Sequence, residues 1–208
     1  MRGRFITFEG GEGTGKSTQI KRLAERLKSH FTDVVATREP GGSPGALAIR
    51  DLILNGEVDK WSPLTETLLM YAARRDHLER VIEPALDRGA VVVCDRFADS
   101  TRAYQGAGGG VPSAFIAQLE SQIVGDNRPD LTLVFDMPIE AGLARAAGRG
   151  GGEARFEAKG AAFHQRLRTA YLQIAAAEPQ RCVIIDAAPD QDTVAAAIWA
   201  VVHARLSL

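Results

Sequence analysis

The apolar run Phe5-Ile6-Thr7-Phe8 is followed almost at once by Gly10-Gly11-Glu12-Gly13-Thr14-Gly15-Lys16-Ser17, and then by a helix-period stretch from Lys16 to His30. The string fits G-x-x-x-x-G-K-[ST], a pattern that has meaning only between a strand and a helix, which is its setting here. Its glycines let successive backbone N–H groups turn inward around phosphate oxygens, and the following helix adds the positive end of its dipole. Lys16 is expected to reach the terminal phosphates, and Ser17 to offer its hydroxyl to Mg2+. The candidate nucleotide-binding set is therefore Gly10, Gly11, Glu12, Gly13, Thr14, Gly15, Lys16, Ser17 and Thr18.

Further apolar runs occur at Val34 to Thr37, Val91 to Cys94, Leu131 to Phe135 and Val183 to Ile185. None alternates with polar residues, so they read as strands buried on both faces of a parallel sheet. Helix-period stretches lie between them: Pro63 to Arg88, Ser113 to Val124, Ile139 to Ala147, Phe156 to Ala177 and Asp190 to Leu206. This predicts an α/β fold, a five-stranded parallel sheet flanked by helices on both faces, in a single domain spanning 1–208. The strand-like runs end in Glu9, Arg38, Asp95, Asp136 and Asp186. Ligands of such sheets meet the carboxyl ends of the strands, so Glu9, Arg38 and Asp95 are placed to meet one, and Asp95 is the second candidate metal group beside Ser17. Asp136 and Asp186 read instead as turn or cap residues. Gly148 to Gly152 reads as a mobile loop within a lid at about 145–158.

Composition narrows the function. Lys and Arg number 25 against 26 Asp and Glu, a net charge of -1, so no global basic field exists to hold nucleic acid. No apolar run approaches the ~20 residues of a membrane span, and the chain is expected to be cytoplasmic. Cys94 and Cys182 lie in strand-like runs and read as buried reduced thiols. The four histidines, His30, His77, His164 and His203, form no constellation with a nucleophile and read as ordinary helix or surface residues. A GTPase switch would need D-x-x-G, which is absent, and Asn127-Arg128-Pro129-Asp130 precedes a strand and reads as a turn. A motor ATPase would need a larger chain. Arginines instead cluster beside turn residues, in Thr37-Arg38-Glu39-Pro40-Gly41-Gly42, in Tyr71-Ala72-Ala73-Arg74-Arg75-Asp76-His77 and in Asp95-Arg96-Phe97. Their forked donors suit a second phosphate, and two phosphate sites imply phosphoryl transfer between nucleotides.

Those three strings, the glycine-rich loop and Ser100-Thr101-Arg102-Ala103-Tyr104-Gln105-Gly106, in this order, resemble the thymidylate kinases of the P-loop nucleoside monophosphate kinase superfamily. The resemblance implies a P-loop NTPase fold with a mobile lid, acting as a homodimer with Mg2+ and ATP on dTMP. It implies that Arg38 and Arg96 hold the dTMP phosphate, that Arg74 meets thymine, and that Glu12 meets the sugar 3'-hydroxyl or the metal. Tyr104 would crowd the sugar 2' position, while Thr101 and Gln105 face the base; Pro40, Met70 and Ser100 complete the substrate set. Gly13 stands where some members carry a loop arginine, so the chain resembles the bacterial lid-arginine type, with Arg145, Arg149 and Arg155 as its catalytic arginines beside Lys16 and Arg96. Two departures stand out: Met70 where many relatives stack a Phe on thymine, and Gly109 where relatives often have Arg. Another nucleoside monophosphate kinase is the alternative reading, and a GTPase-type switch a distant one.

Overall fold

The computed structural model describes residues 2–57, 59–148, 154–157 and 159–206. Its strands are β1 (Arg4–Gly10), β2 (Val34–Arg38), β3 (Val91–Asp95), β4 (Leu131–Asp136) and β5 (Cys182–Asp186). All five pair in parallel in the order β2-β3-β1-β4-β5. The helices are α1 (Lys16–Leu27), α2 (Pro44–Leu54), α3 (Pro63–His77), α4 (Glu83–Asp87), α5 (Ala98–Thr101), α6 (Ser113–Ile123), α7 (Ile139–Ala147), α8 (Ala154–Glu157), α9 (Ala161–Ala177) and α10 (Gln191–Leu206).

The central strands β1, β3 and β4 are covered on both faces as expected, whereas β2 and β5, at the two edges of the sheet, are partly exposed. Val91 and Val93 of β3 face a layer containing Ile20, Leu23 and Leu27 of α1 and Ile198 and Val202 of α10. Val92 and Cys94 face Leu78, Ile82, Leu86 and Ile116 on the other side. A strand covered on both faces has no solvent side, and the buried hydroxyls of Thr7 of β1 and Thr132 of β4 satisfy one another at 2.7 Å. Both cysteines are free and buried, as expected.

Several elements differ from the sequence reading, among them the helical segments Ala98–Thr101 and Arg102–Gly108, which lie between the stretches read as helices. The segment after Gly41-Gly42 is the helix α2, although its Gly and Pro content suggests a loop; Pro44 at the first helical position after Ser43 starts a helix rather than preventing one. The stretch Pro63 to Arg88 is continuous but widens between Leu78 and Ile82, where the Glu83 N–H donates to the Leu78 carbonyl. Pro84 explains this, since it lacks an N–H and its ring would collide with the carbonyl one turn earlier. The stretch Phe156 to Ala177 is divided between α8 and α9, with Gly160 extended between them at φ -61° and ψ 165°.

Candidate active site

The phosphate loop leaves β1 and is pressed onto α7. Gly13 has φ 69°, and a Cβ there would lie 1.8 Å from the Gly142 carbonyl oxygen. A Cβ at Gly142 would in turn lie 2.7 Å from the Glu12 carbonyl. Two glycines thus allow the loop and helix backbones to touch, which is a steric reason why position 13 carries no arginine. Lys16 is buried and folds back over the loop, its Nζ donating to the carbonyls of Gly11 at 2.7 Å and Gly10 at 3.1 Å. Thr14 Oγ1 donates to the Gly11 carbonyl at 3.1 Å, while Ser17 and Thr18 are exposed on the first turn of α1. Ser17 Oγ donates to Asp95 Oδ2 at 2.7 Å, so the two candidate metal groups meet at the ends of neighbouring elements.

Arg96 connects this loop to a second cleft. It is buried at φ 68°, outside the conformations a side chain ordinarily permits, and its Nη1 donates to the Gly10 carbonyl at 2.9 Å. Its Nη2 pairs with Glu12 Oε1 at 2.8 Å, and the Tyr104 hydroxyl donates to the same oxygen. Burial pushes the Glu12 carboxyl up, but Arg96, Lys16 and Tyr104 outweigh it and hold it below its ordinary value. Glu12 is therefore an anion buttressing the arginine between the two clefts.

The second cleft is lined by Pro40, Met70, Arg74, Arg96, Ser100, Thr101, Tyr104 and Gln105, together with Glu39, Leu54, Phe97 and Phe156. Arg74 enters from α3, fully buried. Its Nε donates to Glu39 Oε2 at 2.8 Å and its Nη2 to the Phe97 carbonyl at 3.0 Å and Thr101 Oγ1 at 3.2 Å. Glu39 is itself held by His77, whose Nδ1 lies 3.0 Å from Oε1 while Nε2 lies 2.7 Å from Thr37 Oγ1. Gln105 Nε2 donates to Glu66 Oε2 at 3.1 Å, and the Tyr104 ring meets Phe156 of α8 edge-on at 5.5 Å. Arg38 ends β2 beside Asp95 in register, exposed and outside the lining of this cleft.

Arg145 and Arg155 are each engaged by backbone carbonyls of other segments. Arg145 donates to the carbonyls of Ala187 and Ala188, each at 3.1 Å. Arg155 is buried against Glu66 at 2.6 Å and donates to the carbonyls of Ile53 at 3.1 Å and Glu57 at 2.9 Å. Arg149 lies outside the described residues. A role for Arg145 or Arg155 at the transferred phosphoryl group requires these contacts to be exchanged.

Several groups of the site escaped the sequence reading. His77 and His164 lie on helices, as expected, but are buried, and His77 belongs to the Glu39 cluster. Glu39 stood inside a string already singled out, whereas Glu66 and Tyr171 occupy helices with no local signature. At Gly109 a Cβ would lie 2.8 Å from Pro63 Cβ and from the Gln105 carbonyl, so a larger residue would need the backbone to shift.

A family model described as thymidylate kinase matches residues 8–198. The chain belongs to the thymidylate kinase family. It is 66% identical over 206 residues to the thymidylate kinase of Caulobacter vibrioides, covering 99% of each chain. To that of Bradyrhizobium diazoefficiens it is 57% identical over 207 residues, covering 99% of this chain and 91% of the relative. The crystal structure of thymidylate kinase from Ehrlichia chaffeensis superposes with a TM-score of 0.79 at 33% identity, covering 97% of this chain and 99% of that one. The parallel sheet is thus that of a thymidylate kinase, and the order of its motifs follows the family along nearly the whole chain.

Proposed function

We propose that the protein transfers the γ-phosphoryl group of ATP to dTMP, giving dTDP and ADP. The observation that carries this is Arg96, which binds the Gly10 carbonyl and Glu12 of the phosphate loop while lining the second cleft. One guanidinium at the junction of the phosphate loop and the second cleft suits a phosphoryl group passing between them. The acceptor is a phosphate already ionised near neutral pH, so no general base is needed, and the work is positioning and charge neutralisation.

Gly10 to Thr18 would cradle the donor phosphates, with Lys16 leaving its loop carbonyls to meet them. Arg96 and Arg38 would hold the acceptor phosphate. Arg74, Thr101 and Gln105 would read the base, with Met70 as its wall, and Tyr104 would pack at the sugar over Glu12. Pro40 and Ser100 shape the same cleft. Among the described residues no three His, Cys, Asp or Glu side chains gather to hold a metal. Ser17 and Asp95 fit Mg2+ nonetheless, because that ion is commonly bound by one or two protein oxygens together with substrate phosphates and water. When bound, Mg2+ would neutralise charge on the β- and γ-phosphates. Arg145, Arg149 and Arg155 would serve as the lid arginines, Arg145 and Arg155 after exchanging their present contacts.

Among the described residues no helix is long and apolar enough to cross a membrane. We place the protein in the cytoplasm, where its two free thiols would stay reduced. A homodimer is the proposed assembly, and the exposed Leu47 and Leu52 of α2 with Leu64 and Leu68 of α3 are the apolar surface that supports it. Release of ADP over a panel of nucleoside monophosphates tests the activity. Turnover with dTMP well above the others is expected; equal or better turnover with another monophosphate would replace dTMP as the substrate.

A further inference from the structure

The last residue before the phosphate loop, Glu9, is fully buried and takes no direct part in either cleft as assigned above. Its two carboxyl oxygens point at different things. Oε1 accepts the Phe97 N–H at 2.7 Å. Oε2 accepts the Ser100 hydroxyl at 2.6 Å and the Tyr171 hydroxyl at 3.2 Å. Those two hydroxyls lie 2.9 Å apart, and both lie beneath Arg96, whose Nη1 donates to Tyr171 Oη at 3.3 Å and to Ser100 Oγ at 3.4 Å.

The geometry points to Glu9 as a positioning residue for the acceptor phosphate: one oxygen pins the strained turn that carries Arg96, and the other orients the two hydroxyls on which the Arg96 guanidinium rests. This rests on the reading of Arg96 as the acceptor-phosphate arginine.

The first half of the argument is conformational. Arg96 has φ 68°, and such a backbone persists only where neighbours over-determine it. Bonds on either side do so: the Arg96 N–H donates to the Phe8 carbonyl at 2.9 Å, and the next N–H, that of Phe97, donates to Glu9.

The second half concerns hydrogen-bond polarity. A hydroxyl has one hydrogen and two lone pairs. An acceptor-only carboxylate draws the hydrogens of Ser100 and Tyr171 toward itself and leaves their lone pairs facing the guanidinium, which can only donate. Tyr171 keeps its hydrogen for this purpose, because burial, followed by the charge of Glu9, pushes its phenol well above the ordinary value. Glutamine has the same shape and the wrong polarity. With its amide nitrogen toward the hydroxyls, their hydrogens are turned onto Arg96, donor against donor; with the nitrogen toward Phe97, the turn loses its acceptor.

The test is Glu9→Gln, assayed for both substrates at pH 8, above the value of about 7 to which burial raises the Glu9 carboxyl, so that the parent carries the carboxylate. We expect kcat/KM for dTMP to fall by about 10-fold to 100-fold, the usual size for losing a group that orients a ligand-binding side chain, with the KM for ATP kept within about twofold. Ser100→Ala with Tyr171→Phe should produce the same selective loss, and adding Glu9→Gln to that pair should cost less than about twofold more, as expected for groups acting through one another. Wild-type kcat/KM for dTMP in Glu9→Gln, equal losses for ATP and dTMP, or fully additive effects would each overturn the assignment. Should Glu9→Gln not fold, wild-type kinetics in the Ser100→Ala and Tyr171→Phe protein would do so. Loss of the reading of Arg96 itself is recognised separately, by an Arg96→Lys variant whose kcat/KM for dTMP is unchanged.

Discussion

The phosphate loop and the acceptor cleft are built in opposite ways. In the loop, Lys16 bonds to carbonyls five and six residues away, and the loop's chemistry comes from backbone groups and glycine geometry. In the cleft, Arg74 and Glu39 are 35 residues apart, Gln105 and Glu66 are 39 apart, and Arg155 and Ile53 are 102 apart. Charge in the cleft is buried, so every cation there needs a partner supplied by another element. A site made of contiguous backbone tolerates loss of a side chain without unfolding, whereas a site made of buried ion pairs couples binding to stability.

Four substitutions or conditions sharpen that contrast. Lys16→Ala should lower kcat by about 10²-fold to 10³-fold with little change in folding, since it removes a cation at the migrating group and Ala suits the start of a helix. Single-turnover kinetics and a urea melt check the two halves of this; near-wild-type transfer would remove Lys16 from the reaction. Arg155→Ala should behave in the opposite way, destabilising the protein by about 3 kcal/mol because it strands the buried Glu66 carboxylate. Chemical denaturation measures it, and Glu66→Gln added to Arg155→Ala should recover part of the loss. A stability unchanged by Arg155→Ala would show that the cleft does not depend on this pair.

The third prediction concerns pH. Burial first, then Asp99, raises the Glu9 carboxyl from 4.5 to about 7, against the opposing pull of Ser100, Arg96 and the Phe97 N–H. Between those two values the native state keeps a proton that the unfolded chain has released. The contribution of Glu9 is therefore fully present below about pH 4.5 and is lost as the pH rises through about 7, a change of about 3 kcal/mol. Urea unfolding at pH 5 and pH 8 should show Glu9→Gln gaining relative to the parent at the higher pH. A constant difference between the two proteins across that window would contradict the shift. The smallest effect is expected at the sugar: Tyr104→Ala should reduce the deoxy-to-ribo ratio of kcat/KM by about 10-fold, the scale of losing one pocket contact. An unchanged ratio would leave Tyr104 as packing against Phe156 and Glu12.

Much of the architecture was legible because its signals are local. Val91 to Cys94 could be assigned to a strand buried on both faces without knowing what covered it, and Gly10 to Ser17 needed only the strand and helix beside it. The acceptor residues were found through strings that resemble a family, and that resemblance named Arg74 and Arg96 with Glu12, Ser100 and Thr101, but gave these three to the substrate rather than to the arginines they hold. Glu39 was within reach, as the acid in Thr37 to Gly42. So was His77, at the end of Tyr71 to His77; Glu66 and Tyr171 were not, because each lies on a helix whose sequence gives no indication of which buried arginine or carboxylate it will meet. The helix α2 was missed because Gly41, Gly42, Pro44 and Gly45 read as loop chemistry, while Pro44 is compatible with the first helical turn.

The sequence by itself determined the parallel sheet, the phosphate loop and its place at the end of the first strand, since these follow from apolar periodicity and backbone freedom within a few residues. Only the tertiary structure decided that Gly13 lies against Gly142, that Arg155 is anchored to Glu66, and that Glu9 lies beneath Ser100 and Tyr171. The physical reason is range. Helix and strand preferences act between neighbours along the chain, whereas the partner of a buried charge is chosen by the packing of whole elements, and its identity is written at no single place in the sequence.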